Sequence, residues 1–183
     1  MSSSITVHDK VFVPYIKGEE LEAAIDKLAA RINETHNNEK EPVILLCVLN
    51  GSIMFTSELM KRLNFPLELM TIKVASYSGT RSGGHIQEIM GITGSVSGRK
   101  VIVCEDIVDT GATMVYLDKR LRESGAAQVE ICTMLLKPEV YKQNLKLDYV
   151  AMEVPNRFIL GYGLDYDQLG RNLKDIYVLK DQI

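Results

Sequence analysis

At 183 residues and 46% hydrophobic composition, the chain suits one domain, or a core with a small appendage, with ample apolar material for a buried interior. A formal net charge of -3 supplies no electrostatic attraction for nucleic acid, and no apolar run reaches the length that spans a membrane. Cys47, Cys104 and Cys132 each lie inside an apolar run, the pattern of buried reduced thiols in a cytoplasmic protein rather than of disulfides or metal ligands, and His8, His36 and His85 are too scattered for a zinc-type cluster.

The opening residues lack the charged-then-apolar layout of a signal peptide. Residues 10–13 read as a short strand ended by Pro14. From Lys17 onward, Leu21, Ile25, Leu28 and Ile32 mark one face of a helix, with Glu19, Glu20 and Glu22 in the first turns, where the helix dipole favours them. A polar loop over 33–41 leads to Pro42 and the run VILLCVL, a central strand by composition. It ends at Leu49-Asn50-Gly51-Ser52, and a helix follows through Met54, Phe55, Leu59 and Leu63; Ser52 is placed to cap it. Residues 66–75 form a third strand. Residues 76–85 are polar and hold three glycines, the composition of a lid or of a plain flexible hairpin tip. A hairpin return follows over 88–93, and Ser97-Gly98-Arg99 turns the chain again.

Residues 101–114, VIVCEDIVDTGATM, organise the rest. Val101 to Cys104 have strand composition; Glu105 and Asp106 follow, then Ile107, Val108, Asp109 and the small polar run Thr110-Gly111-Ala112-Thr113; Met114, Leu117 and Leu121 recur at helical spacing. A turn at the carboxyl end of a parallel strand is where open α/β sheets bind ligands. Backbone N–H groups of Thr110, Gly111 and Ala112, the hydroxyls of Thr110 and Thr113, and the start of the following helix together suit a phosphate. The acids suit a polyol instead: adjacent carboxylates accept hydrogen bonds from vicinal hydroxyls or hold Mg2+ through water. A sugar phosphate satisfies both halves. Residues 128–136 form another strand with Lys137 at its end, and 148–153 a shorter one. Phe158 offers a flat face for a ring, Asp165 a metal-binding carboxylate and Arg171 a planar fork for phosphate oxygens. Ile176 to Leu179 should add an edge strand.

The run EDIVDTGATM resembles the phosphoribosyl-pyrophosphate (PRPP) signature of type I phosphoribosyltransferases, in the form found on their hypoxanthine-guanine branch. The similarity extends over about residues 43–171: Ser76 and Tyr77 match the opening of a mobile loop, and Phe158, an aliphatic residue, Gly-Tyr, Leu-Asp-Tyr and Arg171 keep the family spacing. One functional position departs, because the family's Leu-Lys-Gly turn, in which the peptide before the lysine is often cis, reads Leu49-Asn50-Gly51 here. The resemblance implies an α/β fold: a parallel sheet of about five strands flanked by helices, with a small hood. The core is expected over about 17–137 and 172–183, the hood over about 1–16 and 138–171, and the lid over about 76–88.

The resemblance also implies Mg2+-dependent transfer of phosphoribose from PRPP to hypoxanthine or guanine, giving a nucleoside monophosphate and pyrophosphate. Glu105 and Asp106 would hold the ribose hydroxyls and a metal, and Thr110, Gly111, Ala112 and Thr113 the 5'-phosphate. Asp109 would be the general acid/base beside purine N7. Lys137, Phe158, backbone near Ile159, and Asp165 would hold the purine; Asn50, Gly51 and Arg171 the pyrophosphate; Asp165 a second metal; Ser76 and Tyr77 the lid. A homodimer or homotetramer, with no nucleic-acid or membrane partner, completes the expectation. An RNA-binding pyrimidine-operon regulator on the same fold is the rival of a different class, and such proteins typically carry tyrosine at the position of Asp109. A non-catalytic phosphate-binding module is a second rival, but it needs no lid, stacking phenylalanine and second metal acid together.

Overall fold

The computed structural model describes residues 3–77 and 85–182. Among these residues are three α-helices, a closing 3-10 turn and ten strands, the strands forming two sheets: β1 (Ile5–Val7), β2 (Lys10–Ile16), α1 (Gly18–Thr35), β3 (Val43–Leu49), α2 (Ile53–Met60), β4 (Leu67–Tyr77), β5 (His85–Met90), β6 (Lys100–Val108), α3 (Ala112–Glu123), β7 (Gln128–Leu136), β8 (Tyr149–Glu153), β9 (Ile159–Leu160) and β10 (Ile176–Leu179). The main sheet has the order β5-β4-β3-β6-β7-β8. Five of its strands are parallel, and β5 returns antiparallel against β4.

Burial on both faces explains the unbroken apolar runs of the central strands. Leu45 and Ile102 face a cluster with Leu21, Ile25 and Leu28 of α1 and Phe55 and Leu59 of α2. Their neighbours Ile44, Leu46, Val101 and Val103 face a second cluster with Met114, Leu117 and Leu121 of α3. Alternate residues of one strand thus feed opposite layers. The apolar face expected for α1 is the buried one, and Glu20 accepts a bond from the Lys17 N–H at 3.2 Å at its start. All three cysteines are buried and unpaired. Among the described residues no helix is long and apolar enough to cross a membrane.

The second sheet, β1-β2-β10-β9, is antiparallel and gathers Phe12, Leu160 and Tyr177 around a small core of its own. It changes the expected division of the chain. β10, assigned from sequence to the core and to an edge, lies between β2 and β9, so Ile176–Leu179 belongs to the small sheet. Pro14 does not end its strand either. β2 runs on to Ile16, with a register shift beside Pro14 of the kind that accommodates proline within a sheet.

β4 and β5 run further toward each other than expected, to Tyr77 and from His85. The lid expectation therefore meets Ser76 and Tyr77 at the end of β4, while residues 78–84 lie outside the described residues.

Candidate active site

β6 does not stop at Cys104. Ile107 and Val108 pair with Leu135 and Leu136 of β7, which carries the strand through both acids to Val108. Glu105 and Asp106 are therefore successive strand residues, and the turn begins only at Asp109. Gly111 adopts φ 80° immediately before α3, a conformation that glycine reaches without steric cost. The first N–H groups of α3 then have no partner inside their own helix.

Here the carboxyl end of β6, the start of α3, the end of β3 and Asp165 surround a cavity of about 530 Å³. Gly51, Glu105, Asp106, Asp109, Thr110, Gly111, Ala112, Thr113 and Asp165 all line it, joined by Leu49 and by Val74 of β4, which had no expected part. A larger cavity of about 710 Å³, between the start of α1, α2 and Tyr162, contains none of the acidic turn. Chemistry, not size, identifies the site.

The two acids sit in different surroundings. One Asp106 oxygen accepts the Ile107 N–H at 2.8 Å, and the other lies where a side chain on residue 51 would be: a Cβ on Gly51 would stand 1.6 Å from it. Only glycine permits this approach. Glu105 Oε2 is buried and has no hydrogen-bond partner among the described residues. Burial, then the neighbouring Asp106 charge, pushes the Glu105 carboxyl well above the usual carboxylate range. The Leu49–Asn50 peptide is cis, and Asn50 does not line the cavity although both its neighbours do. Ser52 does not cap α2: its hydroxyl donates back to the Val48 carbonyl at 2.7 Å.

Two further segments close on this centre. Lys137 is buried, its backbone N–H bonds the Val108 carbonyl at 3.0 Å, and its ammonium reaches Asp109 at 3.4 Å, not Glu139. In the segment 161–171, Gly163 at φ 101° packs so tightly on the turn after β3 that a Cβ there would meet the Gly51 carbonyl oxygen at 2.0 Å. Arg171 ties this segment together, donating to the Gly163 carbonyl at 2.8 Å and pairing with Asp165 at 2.7 Å. Among the described residues, Arg171 thus meets the cavity lining through Asp165. Phe158 is 38% exposed and leaves its ring edge-on to Tyr166 and tilted against Phe12, outside the cavity lining. The Ile159 side chain is buried in the core and does not reach the cavity.

The chain is similar to known proteins along most of its length. The phosphoribosyl transferase domain model matches residues 15–167. The hypoxanthine-guanine phosphoribosyltransferase of Streptococcus pneumoniae is 39% identical over 169 residues, 92% of this chain and 93% of that one. The hypoxanthine-guanine-xanthine phosphoribosyltransferase of Tritrichomonas foetus is 37% identical over 166 residues, 90% of each chain. Among solved structures, a Trypanosoma cruzi hypoxanthine phosphoribosyl transferase matches with a TM-score of 0.87 at 32% identity, covering 97% of this chain and 96% of that one.

A match of this extent defines the chain as a phosphoribosyltransferase; it belongs to that family, and within it to the hypoxanthine-guanine branch of purine salvage. These relatives give the RNA-binding regulator no support.

Proposed function

We propose that the chain transfers the 5-phosphoribosyl group of PRPP to hypoxanthine or guanine, with Mg2+, giving IMP or GMP and pyrophosphate in the cytoplasm. The observation that carries this reading is the single cavity onto which Glu105, Asp106, Asp109, the turn 110–113 and Gly51 all open. It offers carboxylates for vicinal hydroxyls at one end and backbone donors for a phosphate at the other.

In this reading Glu105 and Asp106 accept the ribose 2'- and 3'-hydroxyls. Residues 110–113 hold the 5'-phosphate at the start of α3. Backbone groups of Asn50 and Gly51 meet pyrophosphate without the cation that the family pattern places at residue 50. Arg171 fixes the Asp165 loop and offers its remaining donors to the same anion. Lys137 donates to the exocyclic oxygen of a 6-oxopurine, Phe158 stacks on its ring, and backbone near Ile159 and Asp165 reads its edge. As the C1'–O bond breaks and pyrophosphate leaves with the electron pair, purine N9 bonds to C1'. Asp109 takes the proton that the purine gives up at N7, with the Lys137 ammonium 3.4 Å from its carboxylate.

Among the described residues no three or more His, Cys, Asp or Glu side chains form a closed cage, and Mg2+ needs none, since it keeps waters and phosphate oxygens and takes one or two carboxylates. Glu105, Asp106 and Asp165 share the cavity, and the buried Glu105 Oε2 has no hydrogen-bond partner among the described residues, so the residues present fit such an ion. The chemistry it supplies when bound is neutralisation of charge on the pyrophosphate.

A panel of bases incubated with PRPP and Mg2+, followed by absorbance, tests the reading. Nucleotide should form with hypoxanthine and guanine, and failure with every 6-oxopurine would overturn it. The reading includes a homodimer or homotetramer, which light scattering in solution measures.

A further inference from the structure

The turn expected to cradle phosphate is held in shape by residues that do not line the cavity. Gly111 turns toward the segment after β7, where a Cβ would stand 2.4 Å from Cε2 and 2.8 Å from Cδ2 of the Tyr141 ring. The ring therefore lies flush against the Gly111 backbone. Tyr141 is itself fixed at both ends: its N–H donates to the Lys137 carbonyl at 3.1 Å, and its hydroxyl donates to the Leu145 carbonyl. Two residues on, Gln143 Nε2 donates to the Thr110 carbonyl at 3.0 Å. Neither Tyr141 nor Gln143 lines the cavity. The Thr110 and Gly111 peptides, whose N–H groups must converge on one anion, are thus gripped from outside the site by a ring and an amide.

We propose that Tyr141 and Gln143 are positioning residues for the 5'-phosphate cradle, setting the orientation of the Thr110 and Gly111 peptides by ring contact and by one hydrogen bond. This rests on the reading of residues 110–113 as the phosphate site. A donor array works only when its members already point at one place, so loosening the grip costs affinity for the phosphate and not for the base.

The test compares Tyr141→Leu, Tyr141→Phe and Gln143→Leu. Tyr141→Leu should raise KM for PRPP about tenfold and weaken nucleoside monophosphate binding to match, with KM for hypoxanthine within about twofold. Tyr141→Phe, which keeps the ring, should restore KM for PRPP to within about threefold of the parent. Gln143 is exposed, so Gln143→Leu should fold even if Tyr141→Leu does not, and should raise KM for PRPP about threefold with the same selectivity. Unchanged KM for PRPP in folded variants, or equal rises for PRPP and base, would overturn the proposal. Failure of the parent protein to bind a nucleoside monophosphate would instead remove the phosphate-site reading beneath it.

Discussion

Glu105 and Asp109 line the same cavity, yet their surroundings differ. Glu105 carries a carboxyl whose Oε2 is buried without a partner, and its acidity is weakened first by burial and then by Asp106. Because the folded value lies above the unfolded one, folding is favoured while the group stays protonated, and that contribution is lost as pH rises above the unfolded value near 4.5 and through the raised folded value. Above that unfolded value the ligand-free protein therefore carries a cost at this position, either a charge held in a buried place or a proton taken up to avoid it. Glu105→Gln should raise Tm by about 2–4 °C, the scale of about 1 kcal/mol in a chain of this size, while weakening PRPP binding. Differential scanning calorimetry beside PRPP titration checks the pair; a lower Tm or unaltered PRPP affinity contradicts the assigned role. Asp109 is half exposed and faces the Lys137 ammonium. Asp109→Asn should lower turnover at saturating substrates by about 100-fold or more, the usual size of general acid/base assistance. Full turnover in that variant would remove Asp109 from the chemistry.

At the level of elements, the site depends on one close approach. The turn after β3 is pressed between Asp106 of β6 on one side and Gly163 on the other. A Cβ at 163 meets main-chain carbonyl oxygen, which cannot rotate away as a flexible side chain does, and φ at 101° adds strain. Gly163→Ala should cost about 1–3 kcal/mol by urea denaturation and raise KM for pyrophosphate in the reverse reaction. A variant of parental stability and affinity would show that the approach is not needed. Such contacts explain what the sequence could and could not disclose. The face of α1 and the limits of β7 were legible, because a 3.6-residue repeat and an unbroken apolar run are local signals. The residues of the acidic turn were legible because a contiguous motif carries them. The extension of β6 to Val108 was not, since it follows from pairing with Leu135 and Leu136. Nor was the commitment of Arg171 to Gly163 and Asp165, because either partner of an arginine is invisible until the loop closes. The exclusion of Ile159 from the cavity likewise follows from its burial in the core, a tertiary fact.

Across the whole molecule, a second polar centre helps join the elements around the core. His36, at the end of α1, is 1% exposed; Nε2 meets Glu130 of β7 at 2.8 Å and Nδ1 meets Glu39 at 3.3 Å. Lys100 of β6 pairs with Glu39, the Tyr149 hydroxyl of β8 donates to Glu130 at 3.4 Å, and the Phe65 ring packs on the imidazole. The Glu130 bond raises the His36 value above 6.5 against the opposing effect of burial. The stabilisation is therefore complete below about pH 6.5 and is lost as pH climbs through the raised folded value. Tm should fall over that rise in the parent protein and stay flatter in His36→Gln; identical slopes would show that the centre does not titrate with folding. At the other end of the sheet lies the proposed sugar-phosphate site, between two acids and the start of α3. The most direct measurement is a crystal structure with a nucleoside 5'-monophosphate bound. The expected result puts phosphate oxygens on the N–H groups of residues 110–113 and the ribose hydroxyls on Glu105 and Asp106. A nucleotide bound elsewhere, with that turn facing only solvent, would contradict the account.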